Sequence, residues 1–178
     1  MTETLLAAFG SVKAGAEAVS AIIGAGIVPA ALEMMDRVVI DACERYMALG
    51  LPQAEALLLV EVDGGAEEAR ESRAAVERIL AACGATEVRV AKDDEERAKL
   101  WKSRKGAFAA LASVLPDYYT MDGSIPRRAL PEVLEQVYAL GREYGMVIGN
   151  VFHAGDGNIH PCIFYDAAKA GELERSEE

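Results

Sequence analysis

An α+β fold built on an antiparallel sheet is what this sequence predicts, and three observations carry the prediction. Strand-like and helix-like segments alternate along all 178 residues. Only one strand-like segment, Leu57-Leu58-Leu59-Val60 continuing through Val62, reads as apolar on both faces, as a strand in a fully covered parallel sheet must be. The other strand-like segments are short and half polar, the pattern of antiparallel strands with one wet face. Strict alternation alone also suits a parallel, doubly wound sheet. The half-polar strands weigh against it.

In chain order, Leu5 to Phe9 reads as a short buried strand. Ser11 to Gly24 carries Ala, Val and Ile at helical spacing, with Ser11 placed to cap the first turn. Gly24 and Gly26 end that helix, and Pro29 to Met35 returns as a strand. Between Asp36 and Leu49, the apolar positions Val39, Ala42, Cys43, Tyr46 and Met47 share one helical face, opened by Asp36 as a cap and stopped at Gly50. Gly64-Gly65 closes the Leu57 strand, and a charged helix follows with Val76, Ile79, Leu80 and Cys83 as its stripe and Gly84 as its end. Glu87-Val88-Arg89-Val90 alternates as a strand with one wet face.

A long helix from Asp93 carries Leu100, Trp101, Arg104, Phe108 and Leu111 and stops before Pro116. Tyr118 to Ile125 reads as a strand. Pro131 stands at a helix start, where its missing N–H costs nothing, and Leu130, Val133, Leu134, Val137 and Leu140 form the buried face. Val147–Phe152, a Gly-rich turn and Ile159–Tyr165 make a β-hairpin, and Ala167 to Glu178 begins a last helix. The expected architecture is a ferredoxin-like sandwich, an antiparallel sheet with helices on one face. It has a near-complete unit over residues 1–92 and a second, incomplete unit over 93–178.

A chain that is 52% hydrophobic and 26% charged is globular rather than disordered. The net charge of −11 repels nucleic acid and anionic membranes, so neither is expected as a partner. It repels small anions too, so a site for an acid needs its own local positive charge. Cys43, Cys83 and Cys162 are widely spaced with no C-x-x-C pair, which reads as reduced thiols in the cytoplasm. The start lacks the basic and apolar regions of a secretory signal. The longest apolar run, Ala21 to Leu32, is broken by Pro29 and falls short of the ~20 residues that span a bilayer.

Both histidines lie in one segment, His153-Ala154-Gly155-Asp156-Gly157-Asn158-Ile159-His160. If the flanking strands pair antiparallel, His153 and His160 leave them at the mouth of the turn. Directly opposed residues have Cβ atoms roughly 5 Å apart, near enough for two imidazoles to share an ion. Two ligands do not make a site, and histidines that are merely polar residues near a turn fit the spacing equally. Asp156 and Asn158 suit the turn itself, since both types bond their own backbone there. Gly24-x-Gly26 and Gly64-Gly65 complete no phosphate-binding loop and read as punctuation. Glu67-Glu68 and Asp93-Asp94-Glu95-Glu96 read as helix N-terminal charges.

The nine residues from His153 to Pro161 resemble the signature of the C-terminal domain of FAD-linked 2-hydroxy-acid oxidases and dehydrogenases, the group that includes D-lactate dehydrogenase and glycolate oxidase. Leu100-Trp101-Lys102-Ser103-Arg104-Lys105 resembles that family's W-x-x-R helix, and the run from Pro116 to Pro131 is similar to its glycolate-oxidase flavin-subunit branch. The resemblance covers nearly the whole chain. It implies hydride removal from C2 of a small 2-hydroxy acid, glycolate or D-lactate, to flavin. It further implies that Arg104 binds the substrate carboxylate, that His153 and His160 hold a divalent cation such as Zn or Mn, and, more weakly, that Asn158 serves the reaction.

Against that family pattern, the FAD-binding domain and a downstream Glu-His-Gly segment are expected to be absent here, and Cys162 stands where some relatives carry a substrate-contacting Asn. The chain alone is then expected to be inactive, with FAD held by the absent domain. Expected partners are that domain, the 2-hydroxy acid and other glycolate oxidase subunits, through which any membrane association of this cytoplasmic protein would run. The incomplete second unit is expected to self-associate through an exposed sheet face or edge. The competing reading is a ferredoxin-like binding or assembly module in which His153 and His160 are incidental.

Overall fold

Helix starts follow the residue types that open them. The Ser11 hydroxyl accepts from the Ala14 amide at 3.1 Å, Asp36 Oδ1 from Val39 at 3.2 Å, and Asp93 Oδ1 from Glu96 at 2.8 Å. The structure, a computed structural model, describes residues 1–177. Its first half runs β1 (Thr2–Phe9), α1 (Val12–Gly24), β2 (Ala31–Asp36), α2 (Arg37–Met47), β3 (Ala56–Asp63), α3 (Ala66–Ala82) and β4 (Ala85–Val90). Its second half runs α4 (Asp94–Leu111), β5 (Asp117–Thr120), β6 (Gly123–Ser124), α5 (Leu130–Tyr144), β7 (Val147–His153), β8 (Asn158–Ile159), β9 (Pro161–Tyr165) and α6 (Glu172–Glu177).

Every strand pairing is antiparallel. The sheet order is β4-β1-β3-β2-β7-β8-β6, with β9 also on β7 and β5 on β9. The first four strands thus have the order β4-β1-β3-β2 of a ferredoxin-like unit, with α2 added in the connection from β2 to β3. The β2–β7 pairing, Glu33↔His153 to Met35↔Val151, joins the two halves into one sheet.

The expectation of helices on one face is corrected: both faces are covered. Leu5, Ala7, Phe9 and Leu58 pack with Ala18 and Ile22 of α1, Val76 and Leu80 of α3, and Leu134 of α5. Leu6, Ala8, Leu57 and Leu59 pack on the other side with Val39 and Cys43 of α2 and Ala107 and Leu111 of α4. The reason lies in β1, where Leu5-Leu6-Ala7-Ala8-Phe9 is apolar on both faces, as β3 is; leaving either side wet would expose a continuous apolar surface. Each large side chain buried this way stabilises the fold by roughly 1.5–3 kcal/mol.

A second correction concerns the strand expected from Tyr118 to Ile125, which is broken at Met121-Asp122 into β5 on β9 and β6 on β8. Met121 lies opposite Pro161. Its amide donates to the Pro161 carbonyl at 2.9 Å, but proline has no N–H to return. The last helix begins at Glu172, later than expected.

Asp36 also ties three elements together. Its Oδ2 accepts from Tyr138 Oη of α5 at 2.7 Å, the Asn150 amide of β7 at 2.7 Å and Asn150 Nδ2 at 3.2 Å. Burial raises this carboxyl from 3.8 to about 6, the four hydrogen bonds it accepts holding the rise in check.

Candidate active site

Helix α4 lies on the sheet through two buried carboxylates. Glu61 of β3 accepts Arg97 Nε at 2.8 Å, Arg97 Nη2 at 2.7 Å, Trp101 Nε1 at 2.7 Å and Thr4 Oγ1 at 2.8 Å. Burial pushes the Glu61 carboxyl up, but hydrogen bonds from Arg97, Trp101 and Thr4 overcome it and bring it from 4.5 down to about 2. Two turns further along α4, Arg104 donates Nε to Glu33 Oε2 at 2.7 Å. The two marked residues of the W-x-x-R motif therefore each grip a carboxylate on the sheet. Arg104 is buried, unlike its exposed neighbours Lys102 and Lys105.

The other oxygen of Glu33, Oε1, lies 2.8 Å from His153 Nδ1. Glu33 and His153 are direct partners across β2 and β7, so their side chains leave the same face of the sheet. His160 follows on that face, its ring centroid 5.7 Å from that of His153 and the planes at 84°. The histidines were expected to be directly opposed. Instead His153 pairs with Asn158, and the register that sets Asn150 against Pro161 carries His160 to a diagonal position opposite Val151. His160 Nδ1 lies 3.7 Å from Asp122 Oδ1. A polar line thus crosses the sheet from Arg104 through Glu33, His153 and His160 to Asp122.

The turn is built as its residues dictate. Asp156 N donates to the His153 carbonyl at 3.2 Å, Gly155 N to Leu32 O at 3.0 Å, and Ile125 N to Gly157 O at 2.8 Å. Gly157 has φ of +72°, and a β-carbon there would overlap the Ile125 carbonyl. Asn158 is in β8, with its Oδ1 buried and without a hydrogen-bond partner among the described residues. All three cysteines are free; Cys162 is buried, its Sγ 3.4 Å from Thr120 Oγ1, and burial raises its thiol.

Sequence reasoning singled out Arg104, His153, His160 and Asn158, and the structure places all four on one region of the sheet. It missed Glu33, Glu61 and Asp122. A signal existed for the first two: each is a lone acid inside an otherwise apolar strand, Leu32-Glu33-Met34-Met35 and Leu57-Leu58-Leu59-Val60-Glu61-Val62, and a charge there needs a partner. For a divalent cation, His153 and His160 offer two imidazoles, and the Glu33 contact to Nδ1 leaves the Nε2 of His153 as the ligating atom. No group of three or more His, Cys, Asp or Glu side chains that could hold a metal ion occurs among the described residues. An apolar groove of about 420 Å³, lined by Val137, Leu140, Ile148, Ile159 and Ile163, lies on the opposite face. No described helix is long and apolar enough to cross a membrane.

The whole chain, residues 1–178, matches the family described as FAD linked oxidases, C-terminal domain. It is 49% identical to glycolate oxidase subunit GlcD of Escherichia coli (strain K12), over 100% of this chain and 36% of that protein. It is 35% identical to the subunit of the same name in Bacillus subtilis (strain 168), over 99% of this chain and 38% of that one. With the D-lactate dehydrogenase [cytochrome], mitochondrial, of Arabidopsis thaliana the identity is 28%, over 95% of this chain and 30% of that one. The chain therefore spans 30–38% of the length of these relatives. Among solved structures, 4-ethylphenol oxidase from Gulosibacter chungangensis is similar in fold, with a TM-score of 0.69 at 13% identity over 99% of this chain and 42% of that one. By this match over its full length, the chain belongs to the C-terminal domain family of the FAD-linked oxidases.

Proposed function

We propose that this chain is the substrate-binding part of an FAD-dependent oxidoreductase that converts a small 2-hydroxy acid, glycolate or D-lactate, to the 2-oxo acid. The observation that carries the reading is the line from buried Arg104 and Glu33 to half-exposed His153, with His160 beside it. In a protein of net charge −11, it sets a cationic fork next to two imidazoles on one sheet face. Of the three guanidinium nitrogens of Arg104, only Nε has a hydrogen-bond partner among the described residues. Its two terminal nitrogens are left for the substrate carboxylate, a pairing for which a planar guanidinium is suited. His153 and His160 then face the C2 hydroxyl and hold a divalent cation, Zn or Mn, with further ligands from outside the described residues. The unpartnered Asn158 Oδ1 accepts a hydrogen bond at the same end. When bound, FAD accepts the hydride and the cation eases loss of the hydroxyl proton.

Under this reading FAD sits on a domain outside these residues, and the chain by itself is inactive and self-associates. Its partners are that domain and other subunits of a glycolate oxidase, in the cytoplasm. Residues 1–92 and 93–178 are its two ferredoxin-like units, the strand order of the first supporting the division. A pure assembly module has no use for an arginine and a histidine sharing one buried carboxylate. The test is dye-linked oxidation of glycolate and D-lactate by the enzyme that includes the flavin domain. Arg104→Lys keeps the charge but loses the fork and the Nε contact. It should lower kcat/KM by about 10- to 100-fold, matching a lost charge-assisted hydrogen bond, while Lys102→Ala leaves the rate near wild type. Equal rates for the two variants would remove Arg104 from the site.

A further inference from the structure

We propose that Glu33 is a positioning residue, its carboxylate joining Arg104 to His153 and holding His153 in the tautomer that keeps Nε2 free to bind a ligand. The proposal deepens the functional reading above and rests on it for the roles of Arg104 and His153. The chemistry of the three groups decides the tautomer. An ionised carboxylate only accepts hydrogen bonds, and a guanidinium Nε only donates. Glu33 Oε2 is met by Arg104 Nε at 2.7 Å, which leaves Oε1, 2.8 Å from His153 Nδ1, to be met by a donor. Nδ1 therefore carries the ring hydrogen, and in the neutral imidazole Nε2 keeps its lone pair. The arrangement is built into the backbone, since Glu33 and His153 are direct partners in the β2–β7 ladder.

Docking α4 is not what Glu33 is needed for. Glu61 already holds that helix through Arg97 and Trp101, and Ala107 and Leu111 pack with α2 in the core. What Glu33 adds is a link between a carboxylate-binding group on a helix and an imidazole on a strand, so that neither turns independently of the other.

The chain has only two histidines, so spectra of ¹⁵N-histidine-labelled protein contain only His153 and His160. Long-range ¹H–¹⁵N correlations above about pH 8, beyond the ordinary imidazole range, distinguish the tautomers. Wild-type His153 should show hydrogen on Nδ1. In Glu33→Gln the single amide oxygen goes to the charged Arg104 donor and the amide NH₂ faces His153. Nδ1 must then accept, and the hydrogen moves to Nε2. Glu61→Gln, the control at the other sheet carboxylate that holds α4, should leave the His153 pattern unchanged. Broadening of the His153 signals by added Mn²⁺ should require about 10- to 100-fold more metal in Glu33→Gln, the usual cost of losing a partner behind a ligand.

Hydrogen on Nε2 in the wild type overturns the proposal without recourse to any variant, as does an unchanged tautomer in folded Glu33→Gln. If the tautomer switches as expected but Mn²⁺ broadens neither histidine in the wild type, Glu33 positions His153 and the cation part of the functional reading fails instead.

Discussion

Replacing Asp36 with Asn should abolish one specific pH dependence of stability. Asp36 is buried, caps α2 through Val39, and receives Tyr138 and Asn150 on its other oxygen. Burial raises its carboxyl from 3.8 to about 6, so the folded state holds this proton to higher pH than the unfolded chain does. A raised pKa contributes stability that is fully present below about 4 and is lost as pH rises through about 6. The size of the rise corresponds to roughly 3 kcal/mol. The substituted amide keeps the cap, because its oxygen can still accept from Val39. Its NH₂ then confronts the Asn150 amide, leaving a buried donor unpaired at a cost of about 1–3 kcal/mol. At pH 4 the wild type should therefore be the more stable protein. By pH 7, where the wild type also carries the buried charge, the gap should close by roughly 3 kcal/mol. Urea unfolding of both proteins from pH 4 to 7 measures the difference, in which all other titrating groups cancel. A gap that stays constant over this range would show that Asp36 does not titrate there and that its hydrogen bonds outweigh its burial.

Zinc or manganese titrated into the wild-type chain should bind weakly, and His153→Ala with His160→Ala should remove the binding; calorimetry giving equal isotherms would end the metal assignment. Gly157→Ala forces a side chain into a φ of +72° against the Ile125 carbonyl, and should destabilise by more than the about 1–2 kcal/mol of a left-handed residue alone, read as a lower urea midpoint. The isolated chain, purified with FAD and metal added, should stay colourless and reduce dye with glycolate or D-lactate only at background rate, since no Gly-rich phosphate cradle occurs in it.

Much of the fold was legible from local chemistry. Caps at Ser11, Asp36 and Asp93 and the proline at the start of α5 act within one helical turn, so their effect does not depend on what packs later. The antiparallel character showed in half-polar strands, and the histidine hairpin showed in its glycines, because turn conformation is a property of the residues that make it.

The number of covered faces was not legible, because alanines in Leu5-Leu6-Ala7-Ala8-Phe9 look neutral until helices are seen on both sides of them. Nor was the break opposite Pro161, which matters only once Met121 is known to face it. By itself the sequence singled out candidate side chains for chemistry: Arg104, His153, His160 and Asn158. Only the tertiary structure decided that Glu33, from a strand 71 residues away from Arg104 and 120 from His153, stands between them. The physical reason is that a buried carboxylate is defined by its partners. Those partners come from a helix and a strand far away in sequence, whose approach no local pattern encodes.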